Sequence, residues 1–124
     1  MTLQESDARV REALSRGGLI DITTTGRKTG RPQRIEIAFH PIDGRLYISG
    51  MPRPQRRSWL ANLDANPRFT FHLKGPVQAD LPASARIIDE EEERRAVLTQ
   101  IARAWKRTDV ETMVAQSPLI EVIL

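Results

Sequence analysis

The 124-residue chain is the size of one globular domain, and its 40% hydrophobic and 28% charged residues are typical of a folded rather than a disordered protein. The absence of cysteine excludes disulfides, thiolate zinc sites, iron–sulfur clusters and cysteine nucleophiles, and the sequence shows neither an apolar run of the roughly 20 residues that span a membrane nor a secretory signal. With a net charge of +3, these features predict a single cytoplasmic domain over residues 1–124.

The first predicted elements are a helix and a strand. An N-terminal helix is predicted over residues 1–17, because Thr2 and Glu5 have the spacing of a capping box and a glycine pair follows. The stretch from Leu19 to Thr25 is rich in β-branched residues, which predicts a strand. Residues 26–32 then form a basic turn that begins with a glycine and ends with a proline.

The next segment reads as a hairpin, a loop and a short helix. Apolar and polar residues alternate from Gln33 to Pro41, and an Asp-Gly pair separates this strand from a return strand at Arg45 to Ser49. Residues 50–57 contain two prolines, which lack the N–H group that a ladder needs, and this predicts a loop. A helix from Ser58 to Leu63 follows, with Ser58 as its expected N-cap.

Two more strands are predicted in the second half of the chain. The stretch from Arg68 to Leu73 alternates, with its apolar side chains on the inner face. The stretch from Val77 to Ile88 predicts a longer strand that is broken or bulged at Pro82, because proline cannot donate to a ladder.

The C-terminal third predicts helices and a last strand. Helices are predicted within residues 89–116, where Asp89 and Thr108 each stand three residues before a glutamate, as in a capping box. Residues 118–124 form the predicted terminal strand. Six strands joined by hairpins and short connections favour an antiparallel sheet, and closure into a small barrel removes its edges. The predicted fold is therefore mainly β with flanking helices (α+β), a six-stranded antiparallel barrel.

The positive charge is concentrated in one quarter of the chain. Residues 26–57 carry a net charge of +6, whereas the rest of the chain carries −3. Such a patch predicts an anionic partner at one site. His40 and His72 lie in separate predicted strands without the spacing of metal ligands, so no metal site is predicted.

Two basic segments of this patch are candidate anion sites. Residues 23–32 combine threonine hydroxyls, backbone donors between two glycines and three cations, which are Arg27, Lys28 and Arg31. A second group directly precedes the helix that begins at Ser58, where unpaired N–H groups attract anions, and consists of Arg53, Arg56 and Arg57. The residues alone indicate an anion-binding β domain, with a solvated basic hairpin tip as the alternative.

Three motifs in order resemble the deazaflavin-dependent nitroreductase family of flavin/deazaflavin oxidoreductases. They are T-T-T-G-R-K-T-G-R-P at 23–32, D-G-R-L-Y-I-S at 43–49 and W-L-A-N-L-D-A-N-P-R-F-T at 59–70. The resemblance implies a split β-barrel of the FMN-binding type with coenzyme F420 as its cofactor. It implies an oxidoreductase that transfers hydride from the reduced deazaflavin to a small planar electrophile, such as a quinone, an enone or a nitro compound.

The resemblance also implies roles for individual residues. The phosphodiester and glutamate tail of coenzyme F420 are anionic, and the family holds them with groups of the basic turn. Ser49 corresponds to a serine near the deazaflavin ring and is the predicted catalytic residue, because it or the adjacent N–H could stabilise developing negative charge. The predicted cofactor-binding residues are Arg27, Lys28, Thr29, Arg31, Arg34, Ser49, Gly50, Met51, Arg53, Arg56, Arg57, Trp59 and Asn62.

The sequence departs from the family pattern and leaves alternatives open. Where the family often reads S-K-G-G, this chain reads S-G-M-P at 49–52, and arginines of residues 53–57 could replace the lysine. The barrel could instead bind FMN, hold a cofactor without turnover, or be a non-enzymatic anion- or nucleic-acid-binding barrel. DNA is not expected, because the basic segment lacks interleaved aromatic residues. The expected partner is a small electron acceptor. A homodimer in which the partner chain completes the cleft is left as an alternative.

Overall fold

The computed structural model describes residues 3–124, with side chains described from Ala8 onward. Six strands form a closed antiparallel barrel in the order β1–β2–β3–β6–β5–β4, and the last of these pairs back onto the first. The strands are β1 (Gly18–Thr25), β2 (Pro32–Ile42), β3 (Arg45–Ser49), β4 (Arg68–Leu73), β5 (Ala79–Ile87) and β6 (Leu119–Ile123). The helices are α1 (Leu3–Arg16), α2 (Ser58–Ala65), α3 (Glu91–Trp105) and α4 (Val110–Gln116). The predicted six-stranded barrel with flanking helices is confirmed.

The barrel interior is filled by the alternating side chains that the sequence places on one face of each strand. Phe39 of β2 and Phe71 of β4 meet edge to face, with ring centroids 5.2 Å apart. Trp59 and Leu63 of α2 join the same buried cluster, so α2 closes the barrel. Burial of each such side chain contributes about 1.5–3 kcal/mol, which fixes α2 relative to the strands around it.

A second core lies outside the barrel, where α3 and α4 cover β3 and β6. Tyr47 and Leu119 point away from the barrel interior and pack against buried residues of both helices. Arg94 of α3 secures this layer, because its guanidinium donates to the carbonyl oxygens of Ile88, Val114 and Ser117 at 2.9, 2.9 and 2.6 Å. The residues between α4 and β6 are thereby held in place.

The predicted break at Pro82 is wrong. β5 begins at Ala79 and continues through Pro82, which is paired with Thr70 of β4. On its other side β5 pairs with β6 only from Ser84 to Ile87. Pro82 therefore lies where the strand has a neighbour on one side alone, and the missing N–H group interrupts no ladder.

Three of the four predicted helix caps differ or fall elsewhere. The N-cap of α2 is Arg57, and Ser58 is the first helical residue. α3 is capped by Glu90 rather than Asp89, because the helix begins one residue later than predicted. The Glu90 carboxylate accepts from the N–H groups of the second and third helical residues. The N-cap of α4 is Asp109 rather than Thr108, and its carboxylate pairs with the preceding Arg107 instead of the helix.

The fourth predicted cap involves Thr2, which lies outside the described residues, and Glu5, whose side chain is not among those described. The expected end of this helix is confirmed, because Gly17 follows α1 with a φ of 75°.

His40 gives folding a pH dependence of definite sign. Its ring packs edge to face against Trp105 of α3, its Nε2 atom is buried without a partner, and burial lowers the pKa of the imidazole below the ordinary 6.5. The unfolded chain therefore takes up a proton before the folded one as the pH falls. The contribution to stability is present above about pH 6.5 and is lost below it.

We expect the urea midpoint of the protein to fall between about pH 7.5 and about pH 5.5. A His40→Phe variant keeps the aromatic contact with Trp105 and should show a smaller fall over the same interval, because it cannot take up this proton. Equal falls in the two proteins would contradict the assignment to His40.

Candidate cofactor site

The basic turn between β1 and β2 is closed by two backbone hydrogen bonds. Gly26 N donates to Arg31 O and Gly30 N donates to Gly26 O, each at 2.8 Å. Gly30 has a φ of 70°, and a Cβ atom on Gly26 would come within 2.9 Å of Thr29 Oγ1. Both glycines are therefore required by the backbone path and by close packing. The turn presents Lys28 and its neighbours to solvent.

Asn62 of α2 anchors this turn. Its Oδ1 accepts from the backbone N and the Nη1 of Arg27 at 3.1 and 2.9 Å, and its Nδ2 donates to Thr24 Oγ1 and Gln33 Oε1 at 3.1 and 2.8 Å. Asn62 is 0% exposed, and these four hydrogen bonds use the full capacity of its amide. Asn62 therefore positions Arg27, and its contact with the cofactor stays a prediction.

Arg27 brings the two basic segments together. Its Nη1 lies 3.2 Å from the hydroxyl oxygen and 3.4 Å from the carbonyl oxygen of Ser58, at the first turn of α2. Arg57 precedes Ser58 and is the N-cap of the same helix. The turn after β1 and the loop after β3 thus meet at the N-terminal end of α2. In the sequence, Arg27 of the turn and Arg53 of the loop are 26 residues apart.

The loop after β3 is organised by the guanidinium of Arg57. This group donates to the carbonyl of Met51 and packs against Gly50, where a Cβ atom would lie 3.2 Å from Arg57 Nη2. Its Nη1 atom is buried without a hydrogen-bond partner. Burial and the nearby charge of Arg53 lower the pKa of Arg57 from its ordinary value. A cation with a free donor therefore lies beneath this loop.

Ser49, the predicted catalytic residue, is buried at the end of β3. It is 2% exposed, and its Oγ donates to the carbonyl of Pro118 at 2.7 Å. In this arrangement the hydroxyl ties β3 to the segment that leads into β6. Its catalytic role stays a prediction.

Ion pairs divide the basic patch into two groups. Arg34 pairs with Asp21 at 2.9 Å, and the other two paired arginines of the patch are Arg45, with Glu121 at 3.7 Å, and Arg56, with Asp64 at 3.4 Å. Within the described part of the chain, Lys28, Arg31 and Arg53 have no carboxylate partner, and Arg27 and Arg57 bind only neutral acceptors. Of these five cations, Arg27 contacts Ser58 and Arg57 is the N-cap at the start of α2, Arg53 lies in the loop before that helix, and Lys28 and Arg31 are exposed on the turn that carries Arg27.

A cleft of about 580 Å³ opens beside Arg53 and Arg57, whereas the predicted cations of the turn do not line it. One wall consists of residues 53–57 and Leu60 of α2, and the opposite wall comes from the start of α3 and from residues 114–119. A volume between about 300 and 1,000 Å³ is typical of small-molecule sites. A smaller cleft of about 280 Å³ lies on the strand side of the turn, beside Thr23 and Arg68.

Several predicted residues lie away from this cleft. Arg34 is on the outer surface of the barrel with Asp21, and Trp59 is 8% exposed because it packs into the barrel core. Met51 is 52% exposed, and its sulfur accepts from Arg107 Nη1 at 3.0 Å. The exposed hydroxyl of Thr29 accepts from the backbone of Arg31 at 3.2 Å, within the turn itself.

The two histidines have structural surroundings. His72 is hydrogen-bonded at 2.7 Å to Thr23 and at 2.7 Å to Asp80, and His40 packs against Trp105. Among the described side chains, no group of three or more histidine and acidic residues could hold a metal ion. From residue 3 onward, no helix combines the length and apolar character needed to cross a membrane.

The fold and site define a six-stranded barrel with unpaired cations on the two segments that meet at one helix N-terminus. The family profile described as F420H(2)-dependent quinone reductase matches residues 1–123. The chain therefore belongs to the F420H2-dependent quinone reductases, which are oxidoreductases with coenzyme F420 as their cofactor. The resemblance seen in the sequence motifs is confirmed.

Solved structures support the same fold. The chain is similar to an F420-H2 dependent reductase, FDR-A, with 24% identity and a TM-score of 0.61 over 84% of this chain and 92% of that chain. It is similar to the conserved hypothetical protein Rv2991 from Mycobacterium tuberculosis, with 18% identity and a TM-score of 0.74 over 99% and 80%. A third similar structure, a domain-swapped dimer, has 24% identity and a TM-score of 0.64 over 97% and 96%. The predicted split barrel is thereby confirmed.

Three residues of the site escaped the sequence analysis. Gln33 accepts a hydrogen bond from Asn62, Arg94 donates to the Ser117 carbonyl, and Ser117 itself lines the cleft. In these two hydrogen bonds, the partners of Gln33 and Arg94 are more than 20 residues away in the sequence, and the position of Ser117 at the cleft depends on the path of the chain. No local sequence pattern indicates either.

Replacement of Asn62 tests the anchor. Asn62→Ala leaves Arg27 N, Thr24 and Gln33 without their buried partner, and each unpaired buried group costs about 1–3 kcal/mol. We expect the free energy of unfolding, measured in urea, to fall by about 2–4 kcal/mol. Asn66→Ala is the matched control, because the Asn66 side chain accepts only from the exposed backbone N of Arg68. A similar loss in both variants would contradict the anchoring role.

Proposed function

We propose that the chain binds coenzyme F420 across the start of α2 and reduces a small planar electrophile with the hydride of the reduced deazaflavin. The observation that carries this location is a set of cations without carboxylate partners on two segments that Arg27 joins at Ser58. They are Arg27, Lys28 and Arg31 of the turn, and Arg53 and Arg57 of the loop that leads into α2. Family membership supplies the cofactor, and the proposal assigns it to this surface.

The residues present fit the charge of the cofactor. Coenzyme F420 carries a phosphodiester and a glutamate tail, and both are anionic. Lys28 and Arg31 extend from the turn into solvent, where they can follow a flexible tail. Arg27 contacts Ser58 beside the N–H groups that begin α2, and Arg53 lies in the loop that leads into this helix end. A phosphate at this helix end is stabilised by both the cations and the helix dipole.

The chemistry at this site combines a cofactor with a rigid protein frame. Bound reduced deazaflavin supplies the hydride, and the chain binds, orients and shields the reactants. In the proposed arrangement Ser49 holds residues 117–118 against the end of β3 through its bond to the Pro118 carbonyl. Its hydroxyl would exchange that carbonyl for the ring or the acceptor in order to stabilise developing charge directly. The electrophile is a quinone, an enone or a nitro compound.

We propose a homodimer as the working form of the protein. Leu19, Ile123 and Leu124 are large apolar side chains that the single chain leaves 46–59% exposed. One similar solved structure is a domain-swapped dimer. Light scattering after size exclusion, at protein concentrations near those of the assays, tests this state. A mass of one chain throughout would overturn it.

Removal of unpaired charge tests the cofactor location. In the double variant Lys28→Ala with Arg31→Ala, we expect the Kd for oxidised F420 to rise more than tenfold, because charge-assisted hydrogen bonds contribute about 1.5–3 kcal/mol each. Neither side chain has an ion-pair partner among the described residues, so the fold should be unaffected. The Kd is read from the absorbance change of the deazaflavin during titration.

The matched control removes the same charge from helix surfaces elsewhere. Arg11→Ala with Arg103→Ala deletes two exposed arginines of α1 and α3 that do not line the cleft. Its Kd for F420 should stay within about twofold of the parent value, since distant surface charges are screened. Equal effects of the two double variants would contradict the location. Titration with FMN in parallel identifies the cofactor, and tighter binding of FMN would contradict the choice of F420.

A further inference from the structure

Two buried donors without partners belong to residues that line the same cleft. In the described part of the chain, three side-chain N or O atoms are buried without a hydrogen bond, and two of them, Arg57 Nη1 and Ser117 Oγ, belong to residues that line the 580 Å³ cleft. Ser117 is only 4% exposed. An unpaired buried polar group costs stability. Two such groups at one cleft are therefore evidence of a site for a ligand oxygen.

Arg57 and Pro118, the residue after Ser117, approach each other at Gly50. A Cβ atom on Gly50 would lie 3.2 Å from Arg57 Nη2 and 3.2 Å from Pro118 Cγ. The guanidinium and the residue that follows Ser117 thus approach the same point from two sides. A side chain at Gly50 would separate them, which explains why the shortest residue occupies this position.

Both groups are held rigidly while their donors stay free. The carbonyl of Ser117 accepts from Arg94 at 2.6 Å, and its backbone N donates to Met113 O at 2.8 Å. The next residue, Pro118, is tied to Ser49. Arg57 is fixed by its bond to the Met51 carbonyl. This preorganisation leaves the Ser117 hydroxyl and the Arg57 Nη1 group to bind a ligand at little cost in lost side-chain freedom.

The rest of the cleft defines what carries that oxygen. Leu60, Val114 and Leu119 contribute apolar side chains to its wall, against which a planar hydrocarbon body can pack. The rim formed by α3 and α4 carries the carboxylates Asp89, Glu91 and Glu111. These acids would repel a carboxylate or phosphate group carried by a ligand in this part of the cleft. The cleft therefore suits a neutral molecule with a polarised oxygen.

We propose that Arg57 and Ser117 bind the carbonyl oxygen of a neutral conjugated carbonyl acceptor, a quinone or an enone. This inference rests on the proposed function. Hydride from the reduced cofactor forms a new C–H bond at the conjugated carbon, and the π electron pair moves onto the carbonyl oxygen. That oxygen, now anionic, stays between the Arg57 guanidinium and the Ser117 hydroxyl until it takes a proton from water. In total the acceptor gains one hydride, which carries two electrons, and one proton, and the cofactor would lose those two electrons with the hydride.

Charge development makes the two donors more important in the reaction than in binding. A hydrogen bond to an anionic oxygen is about twice as strong as one to a neutral carbonyl. Loss of the Ser117 hydroxyl should therefore weaken acceptor binding less than it slows reduction. This difference separates a group that touches the reacting atoms from one that only shapes the cleft.

The experiment uses Ser117→Ala in the full chain with menadione as the probe acceptor. With oxidised F420 bound, so that no turnover occurs, we expect calorimetry to give a menadione Kd raised by about threefold to tenfold. With reduced F420, kcat/KM for menadione should fall by more than tenfold. The Kd for F420 should stay within twofold, because the variant leaves the cations of the turn intact. Ser117→Thr, which restores a hydroxyl, should recover part of the kcat/KM loss.

Controls keep the outcomes distinct. Ser84→Ala removes a hydroxyl from β5, which does not line the cleft, and should leave all three quantities unchanged. The Tm of Ser117→Ala should equal or exceed that of the parent, because the lost hydroxyl has no partner. A large fall in Tm, or parent values of menadione Kd and kcat/KM, would overturn the carbonyl site. Failure of the unmodified protein to bind F420 would instead overturn the proposed function on which the site rests.

Discussion

The arrangement of the site depends on one buried amide. Asn62 sits on a helix that closes the barrel, yet its four hydrogen bonds reach the basic turn, β1 and β2. The helix itself is fixed by Trp59 and Leu63 in the barrel core. Because the amide converts this packing into a defined position for Arg27, hydrophobic burial on the inside sets the geometry of the cationic surface outside.

Electrostatics at the site follows from what the barrel does with the basic segment. Among the cations of residues 26–57, Arg34, Arg45 and Arg56 are paired with acids of β1, β6 and α2, respectively. The remaining cations lie on the turn and on the loop that meet at the start of α2. There, partial burial and the nearby charge of Arg53 lower the pKa of Arg57. Repulsion between unpaired cations is unfavourable in the free protein, so an anionic cofactor relieves a cost that the fold has already incurred.

Much of the fold could be predicted because its signals are local. Alternation located the strands within one or two residues at most ends, and the Asp-Gly pair located the β2–β3 hairpin. Helix caps were less predictable, because a capping side chain competes with other partners: Asp109 pairs with Arg107, and Ser58 accepts from Arg27. The continuity of β5 across Pro82 was also missed, since it depends on how far β6 extends. Local chemistry predicts that an element exists more reliably than which neighbour completes it.

The sequence by itself determined the barrel class, the turn that Gly26 and Gly30 require, and the cofactor family carried by three ordered motifs. Those properties depend on residues close together in the chain, where periodicity and backbone freedom act directly. Only the tertiary structure decided that Asn62 is buried and which cations have no carboxylate partner. It also decided that Ser117, with an unpaired hydroxyl, lines the same cleft as Arg57. The physical reason is that a hydrogen bond or an ion pair needs both partners at about 3 Å, and chain closure into a barrel sets those distances.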